Sequence, residues 1–270
     1  MILEKTVELI QQIYKIHKIV PPKVSSVVIG LGYTGVEVSA YAFKPFLGLA
    51  ATLPSIIKRT DCSKINFAGI LTEKNLSELL NWSYKPPSLK KIIGIATVNA
   101  VSQHIFKMKN PYSKIMGDSY ESLDINQDTN ITIIGLIKPL ARKLSEITQK
   151  ITLIEDTIPV SPEFSKFQIK NSTDQLSKNE LFTDILFCTG TILINNSIED
   201  ILDLYKNKAG KILLIGPTVS MIPDILFDYG VDIVGGMEIF DSEATLKVLQ
   251  EGGGTKIFKQ YGKKYNLYKK

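Results

Sequence analysis

The chain is poor in the side chains that hold soft metals or carry nucleophilic catalysis. Its 270 residues include two histidines, two cysteines and one tryptophan. Cys62 and Cys188 lie far apart, and no pair of His or Cys stands at a chelating spacing such as C-x-x-C or H-x-x-x-H. A metal site made by side chains alone therefore has little sequence support. His17 falls among helix residues and reads as a surface or packing group. His104, five residues after Asn99, could lie near a cleft, but no partner motif accompanies it. No Ser-His-Asp or Cys-His arrangement can be assembled. So few cysteines also argue against a disulfide framework and fit a reducing cytoplasm, the expected location. A basic stripe is missing too. The net charge of +5 is spread along the chain, with basic clusters only at Lys263-Lys264 and Lys269-Lys270, so nucleic acid is not an expected partner. Met1 to Ile19 is amphipathic with charges throughout and reads as neither signal peptide nor membrane span; no membrane partner is expected. There is no internal repeat and no low-complexity tract.

What is present is an ordinary globular composition, 44% hydrophobic and 22% charged, long enough for one large domain or two of usual size. The first stretch, 1–19, places apolar residues at mostly helical spacing and ends at Pro21-Pro22. Val24–Ile29 and Gly35–Tyr41 are strand-like runs joined by Gly30-Leu-Gly-Tyr-Thr, the pattern of a β-hairpin. Gly48–Leu53 is small and apolar and ends at Pro54. Leu71–Trp82 reads as a helix, and Pro86-Pro87 starts another at Ser88 that runs through Ile105. Residues 111–128, with Pro111, Gly117 and several acids, are the best candidate linker. Beyond it strands and helices alternate: strands at 131–134, 151–154, 185–187, 212–215 and 232–234, helices at 139–147, 196–205, 221–227 and 242–249. Asn196 and Glu199 have the spacing of a capping box. Thr255–Tyr268, turning at Gly262, looks like a terminal hairpin. The expected fold class is α/β: a Rossmann-like, doubly wound, mostly parallel sheet over residues 113–270, preceded by a smaller α+β domain over residues 1–112.

Candidate ligand residues fall in the loops that follow strands, where open α/β sheets bind ligands. The buried run Ile185–Cys188 is followed by Thr189-Gly190-Thr191, then Asn195 near a helix start. The loop Ile215-Gly216-Pro217-Thr218 echoes it, with a tight turn and hydroxyls at Thr218 and Ser220. The first strand–helix unit carries Gly135 alone, where a dinucleotide fingerprint needs three glycines; there is no NAD signature, and a dehydrogenase is discounted. Glu155, after the second strand, stands where an acid can accept hydrogen bonds from a ribose; two solvated charges at a strand end are the plainer reading of Glu155-Asp156. Gly235-Gly236 and Gly252-Gly-Gly254 read as turns or close approaches. Asn99, inside an otherwise apolar helix, must be hydrogen-bonded, either bracing a neighbouring backbone or facing a cleft between domains.

These residues resemble a known family. Thr189-Gly-Thr191 with the segment to Asn195, the Ile215-Gly-Pro-Thr loop, Gly236-Met-Glu-Ile-Phe-Asp241 and Gly252-Gly-Gly-Thr-Lys-Ile-Phe258 are similar to the "putative heavy-metal chelation" domain family. Ala96-Thr-Val-Asn-Ala100 and the preceding hairpin resemble its accompanying domain, of enolase N-terminal-like fold. Together the resemblances span nearly the whole chain. They imply an α+β lobe packed on a Rossmann-like lobe, a site in the cleft between them, kinship with archaeal and anaerobe proteins of unassigned activity, and a role in heavy-metal handling linked to cofactor or corrinoid metabolism. The matching cleft positions are Asn99, Thr189, Gly190, Thr191, Asn195, Gly216, Pro217, Thr218 and Asp241.

Three readings follow. In the first, the protein binds a divalent or heavy metal or a metal complex, with Asn99 and Asp241 as oxygen donors or hydrogen-bond partners. Because soft ligands are scarce, the metal would arrive with a small molecule or be held through oxygen. In the second, the ligand is an adenine-bearing metabolite, a nucleotide or S-adenosylmethionine, read by Gly135 and Glu155. The third is an oligomeric scaffold without chemistry of its own; a homo-oligomer is compatible with all three.

Overall fold

The structure is a computed structural model and describes residues 1–57, 65–109, 112–156 and 167–269. Cys62, Pro111 and Lys270, invoked above, lie outside the described residues. Helix α1 (Ile2–Ile16) leads into an antiparallel sheet of β1 (Lys23–Ile29), β2 (Tyr33–Ser39) and β3 (Phe46–Ala51), in that order. The hairpin at Gly30 is as expected. The small apolar run at Gly48 proves to be the third strand, paired with β2 from Tyr33↔Ala51 to Val38↔Phe46.

Helix α2 (Pro54–Ile57), α3 (Leu76–Trp82) and α4 (Leu89–Lys109) follow. The helix expected over 71–82 is broken: a 3-10 turn covers Leu71–Glu73, and α3 begins afresh where the Asn75 side chain accepts from Ser77 N at 2.9 Å. An Asn that caps locally competes with helix continuation. Helix α4 is buried on every side from Lys91 to Phe106, as a helix apolar all round must be. Its core cluster joins Val36, Val38 and Ala50 of the small sheet to Leu186, Cys188 and Leu214 of the large one.

The large sheet has eight strands: β4 (Ile115–Met116), β5 (Ile131–Ile134), β6 (Ile151–Ile154), β7 (Gln168–Lys170), β8 (Thr183–Thr189), β9 (Ala209–Ile215), β10 (Ile233–Ile239) and β11 (Gly262–Tyr268). Its helices are α5 (Lys138–Ser145), α6 (Thr191–Ile194), α7 (Ile198–Tyr205), α8 (Asp224–Asp228), α9 (Ser242–Gln250) and α10 (Thr255–Phe258). The spatial order is β4-β11-β10-β9-β8-β5-β6-β7. All pairings from β10 through β7 are parallel, while β11 runs antiparallel to β10 and to β4. Alternate residues of one strand serve opposite faces: Leu186 and Cys188 join the α4 core, Ile185 and Phe187 the cluster containing Leu140 and Leu144 of α5.

Four expectations are corrected here. The stretch 111–128 is more than a linker, since Ile115 and Met116 form the edge strand β4 on β11. The final segment is no hairpin; it is a helical turn, α10, followed by the single strand β11, which lies between β10 and β4. Strand β7 has no counterpart in the sequence reading. Asn196 and Glu199 form no capping box. Asn196 adopts φ +66, helix α7 starts at Ile198, and the Glu199 carboxylate accepts from the Ile2 N–H at 2.9 Å instead. Tertiary partners take both side chains away from the local cap.

Candidate functional site

The expected loop residues meet at the carboxyl edge of the parallel strands. Gly135, Gly190 and Gly216 each stand one residue past a strand and continue its ladder. Gly135 N donates to Ile154 O at 2.9 Å, Gly190 N to Ile215 O at 3.1 Å and Gly216 N to Gly235 O at 2.9 Å. Counting the six parallel strands in chain order, their spatial order is third, second, first, fourth, fifth, sixth. The order therefore reverses between β5 and β8, which are paired from Ile131↔Ile185 to Ile134↔Cys188. The loops after these two strands depart in opposite directions, and such a switch point is where open α/β sheets form ligand crevices.

Close approach at this point accounts for the glycine. Gly135 has φ +79, and a Cβ there would lie 2.1 Å from Thr189 Cγ2, with Thr191 Oγ1 at 3.8 Å. A larger residue would be strained twice, by backbone and by contact. Glu155 joins the group from the end of β6, where its Oε2 accepts the Leu136 N–H at 2.6 Å. That bond, of the charge-assisted kind, fixes the loop after β5. Gly135, Glu155, Thr189 and Thr191 are all partly exposed, while Gly190 is buried.

A second group closes the seam between the small sheet and the large one. Asn99 Nδ2 donates to Leu49 O at 2.7 Å, Thr218 O at 2.9 Å and Pro217 O at 3.3 Å. Thr218 Oγ1 accepts from Ala51 N at 3.0 Å. One turn along α4, Gln103 Nε2 donates to Ser220 O at 2.7 Å and to Tyr265 Oη at 2.9 Å. Asn99 thus braces backbone from both sheets. Its Oδ1, like Gln103 Oε1, is buried without a hydrogen-bond partner among the described residues, an acceptor surplus at the seam. Gly190 links the two groups, a Cβ there falling 2.8 Å from Thr218 Cβ.

Two expected residues do other work. Asn195 ends α6, and its Oδ1 accepts from Ser197 N at 3.1 Å and Ser197 Oγ at 2.7 Å. Asp241 is the N-cap of α9, its Oδ1 accepting from Ala244 N at 3.0 Å. Metal-ligand types do not converge: no group of three or more His, Cys, Asp or Glu occurs among the described residues. Cys188 is fully buried in β8, and burial pushes its thiol up, away from the thiolate a metal needs. His104 is buried, its Nδ1 2.9 Å from Tyr14 Oη, and desolvation pushes its pKa down. It stacks with Tyr14 and meets Phe43 and Phe46 edge-on, a packing histidine.

The sequence reading passed over Lys91. This lysine is 1% exposed in the first turn of α4 and donates from Nζ to Asn196 Oδ1. A signal was available in that Lys91 directly precedes the apolar run of α4, although Lys90 beside it is exposed.

The six parallel strands with flanking helices and an appended antiparallel sheet define a mixed α/β protein. Comparison with known proteins places it further. Residues 118–268 match the family DUF364, described as "Putative heavy-metal chelation", and residues 15–102 match DUF4213, which carries the same description. The first match covers more than half of the chain, and the chain belongs to that family. It is 26% identical over 206 residues to an uncharacterized protein of Methanocaldococcus jannaschii, covering 72% of each. Among solved structures it is similar to a DUF364 protein of unknown function from Pyrococcus horikoshii, with a TM-score of 0.73, 23% identity and all of both chains covered. It is also similar to a DUF364 protein of unknown function from Desulfitobacterium hafniense, with a TM-score of 0.73, 17% identity and coverage of 98% and 100%. At these identities the likeness to solved structures concerns the fold. No described helix is long and apolar enough to cross a membrane.

Proposed function

We propose that the protein binds a small polar ligand, a metal complex in the first instance, at the carboxyl edge of the parallel sheet. The chain is read as two domains, 1–112 and 113–270, the second Rossmann-like, with the seam between them as one wall of the site. The observation that carries this reading is the reversal of strand order between β5 and β8, flanked by Gly135, Glu155, Thr189 and Thr191. Ligands of doubly wound sheets bind at such a crevice.

The family description speaks of heavy metals, and the side chains do not fit a bare soft metal. Among the described residues Cys188 and His104 are committed to the core, and the donors at this edge of the sheet are oxygens. We therefore read any metal as one carried by its own small-molecule ligand. A melting-temperature screen of chelator-stripped protein against divalent metals, metal-tetrapyrroles, nucleotides and S-adenosylmethionine tests this. A ligand of the folded state stabilises it by RT ln(1 + [L]/Kd), about 2.7 kcal/mol at a hundredfold excess over Kd. A shift with a metal complex that is lost in Thr189→Val, Thr191→Val protein supports the reading. A shift with bare metal ions of the same size, untouched by those substitutions, would sink it.

A second reading has its own support. Glu155 ends the second of the six strands, twenty residues beyond Gly135, near the spacing at which dinucleotide folds place the acid that binds a ribose. An adenine-bearing metabolite would use it. A shift with nucleotides or S-adenosylmethionine alone, abolished by Glu155→Gln, would favour that ligand class.

A further inference from the structure

A second place in the fold joins a reactive group to a partly open pocket. A pocket of about 120 Å³ lies where the start of α4 meets the segment between α6 and α7 and the beginning of α1, lined by Lys91, Tyr84, Asn196, Glu199, Met1 and Leu3 among others. Its walls are mostly apolar; its polar side chains are one amine, one amide, one phenol and one carboxylate, and Met1, which carries a second, α-amino group, also lines it. The amine is held in place. Lys91 Nζ donates to Asn196 Oδ1, and Asn196 presents that oxygen from a left-handed backbone, φ +66. An Asn tolerates this conformation better than most residues, and an outlier of this kind is worth a functional question. Glu199 is anchored in turn by the Ile2 N–H at 2.9 Å.

We propose that Lys91 is an amine nucleophile and that the cavity takes a small uncharged aldehyde or ketone as a Schiff base. The neutral Nζ attacks the carbonyl carbon, and a proton passes from nitrogen to the former carbonyl oxygen to give the carbinolamine. Water then leaves as the C=N bond forms, so that amine and carbonyl become imine and water with no change of oxidation state. Protonation of the imine nitrogen yields a cation, and the Glu199 carboxylate on the same cavity wall is its counter-ion. A charged keto acid would set its carboxylate against Glu199, which is why the substrate class is uncharged. The space suits a molecule of a few heavy atoms and excludes a cofactor the size of pyridoxal phosphate.

Desolvation supports the chemistry. Burial pulls the Lys91 pKa down to about 8, against a smaller upward pull from Glu199. Near neutral pH the neutral, nucleophilic amine is therefore far more abundant than on a solvated lysine.

The test uses the native full chain with limiting acetaldehyde and cyanoborohydride at pH 7, and peptide mass spectrometry to locate the ethyl groups. The expected result is ethylation of Lys91 more than tenfold faster than of the exposed Lys206 and Lys247, with a rate that climbs with pH to a midpoint near 8. Burial without reactivity predicts the opposite order, so labelling of Lys91 no faster than of those two lysines overturns the proposal. Reaction in the unfolded chain, where all lysines must label alike, verifies that the preference belongs to the fold.

Discussion

The Asn99 side-chain nitrogen stands 2.7 Å from the Leu49 carbonyl oxygen and 2.9 Å from that of Thr218. One amide from α4 thereby ties an edge strand of the small sheet to the loop after β9. Truncation leaves these buried acceptors without a donor, and a buried group stranded in this way costs about 1–3 kcal/mol. Asn99→Ala should therefore lower stability in urea by about 2–3 kcal/mol, with an unchanged m-value. A loss below about 0.5 kcal/mol, the range of unremarkable surface changes, would mean that the seam is held by something else.

Gly135 and Thr189 make a sharper test of the switch point. A Cβ at Gly135 would stand 2.1 Å from Thr189 Cγ2, and φ +79 penalises any side chain. Gly135→Ala should cost about 2 kcal/mol or more. Thr189→Ser removes the offending methyl. In the double variant the worst of the contact is relieved, a 3.1 Å approach to Thr189 Cβ being left, while the backbone part remains. The two substitutions should couple by roughly 0.5 kcal/mol or more in a double-mutant cycle, read by denaturant titration. Strict additivity would show that the loops do not meet as described.

Much of this edge was legible in the sequence, because short apolar runs punctuated by glycine mark parallel strands and their turns. Gly135, Gly190 and Gly216 were expected in loops, and each stands one residue past its strand. What was not legible is which loops become neighbours, since strand order is a property of crossovers and not of any local pattern. Asp241 illustrates the limit. It follows a strand run like the others, and its Oδ1 accepts the Ala244 N–H at 3.0 Å, a local cap that sequence spacing does not distinguish from a ligand position. Asn196 and Glu199 illustrate the converse, a good cap spacing overridden by Lys91 and by the Ile2 backbone. Strand β7 is three residues long, too short for periodicity to reveal.

Cys188 tests whether its own sulfur takes part in metal binding. It is 0% exposed, and burial pushes its thiol up, so neither alkylating reagents nor soft metals should reach it in the native state. Iodoacetamide should leave Cys188 unmodified in the folded protein and label it in urea, as read from its peptide by mass spectrometry. Any thermal shift given by cadmium should persist in Cys188→Ala measured against that variant's own baseline. Loss of the shift in the variant would put sulfur back into the site.

Lys91 also predicts a pH dependence of stability whose sign is fixed by its shift. Its pKa falls from 10.5 to about 8 on folding, so between these values the unfolded chain binds more protons than the folded one. Stability contributed by this group therefore rises as pH increases through 8. The buried tyrosines act in the opposite direction, since Tyr14, Tyr112 and Tyr265 have raised pKa values. The unfolded chain loses those protons first, and stability falls once their solvated value of 10.0 is approached. Cys188, raised by burial from 9.0, acts in the same direction as the tyrosines from about pH 9, but that contribution is common to native protein and variant, so the difference between the two isolates Lys91 from pH 7.5 to about 9.5. Lys91→Met keeps the length of the side chain and removes the titrating group. The difference in unfolding free energy, variant minus native protein, should be largest at the acid end of this window and shrink toward its alkaline end. Glu199→Gln, which removes the charge that favours the ammonium form, should shift the onset of the rise to lower pH. A difference between native protein and Lys91→Met that stays flat with pH would show that Lys91 keeps its proton on folding, and would remove the ground for a neutral amine in the cavity.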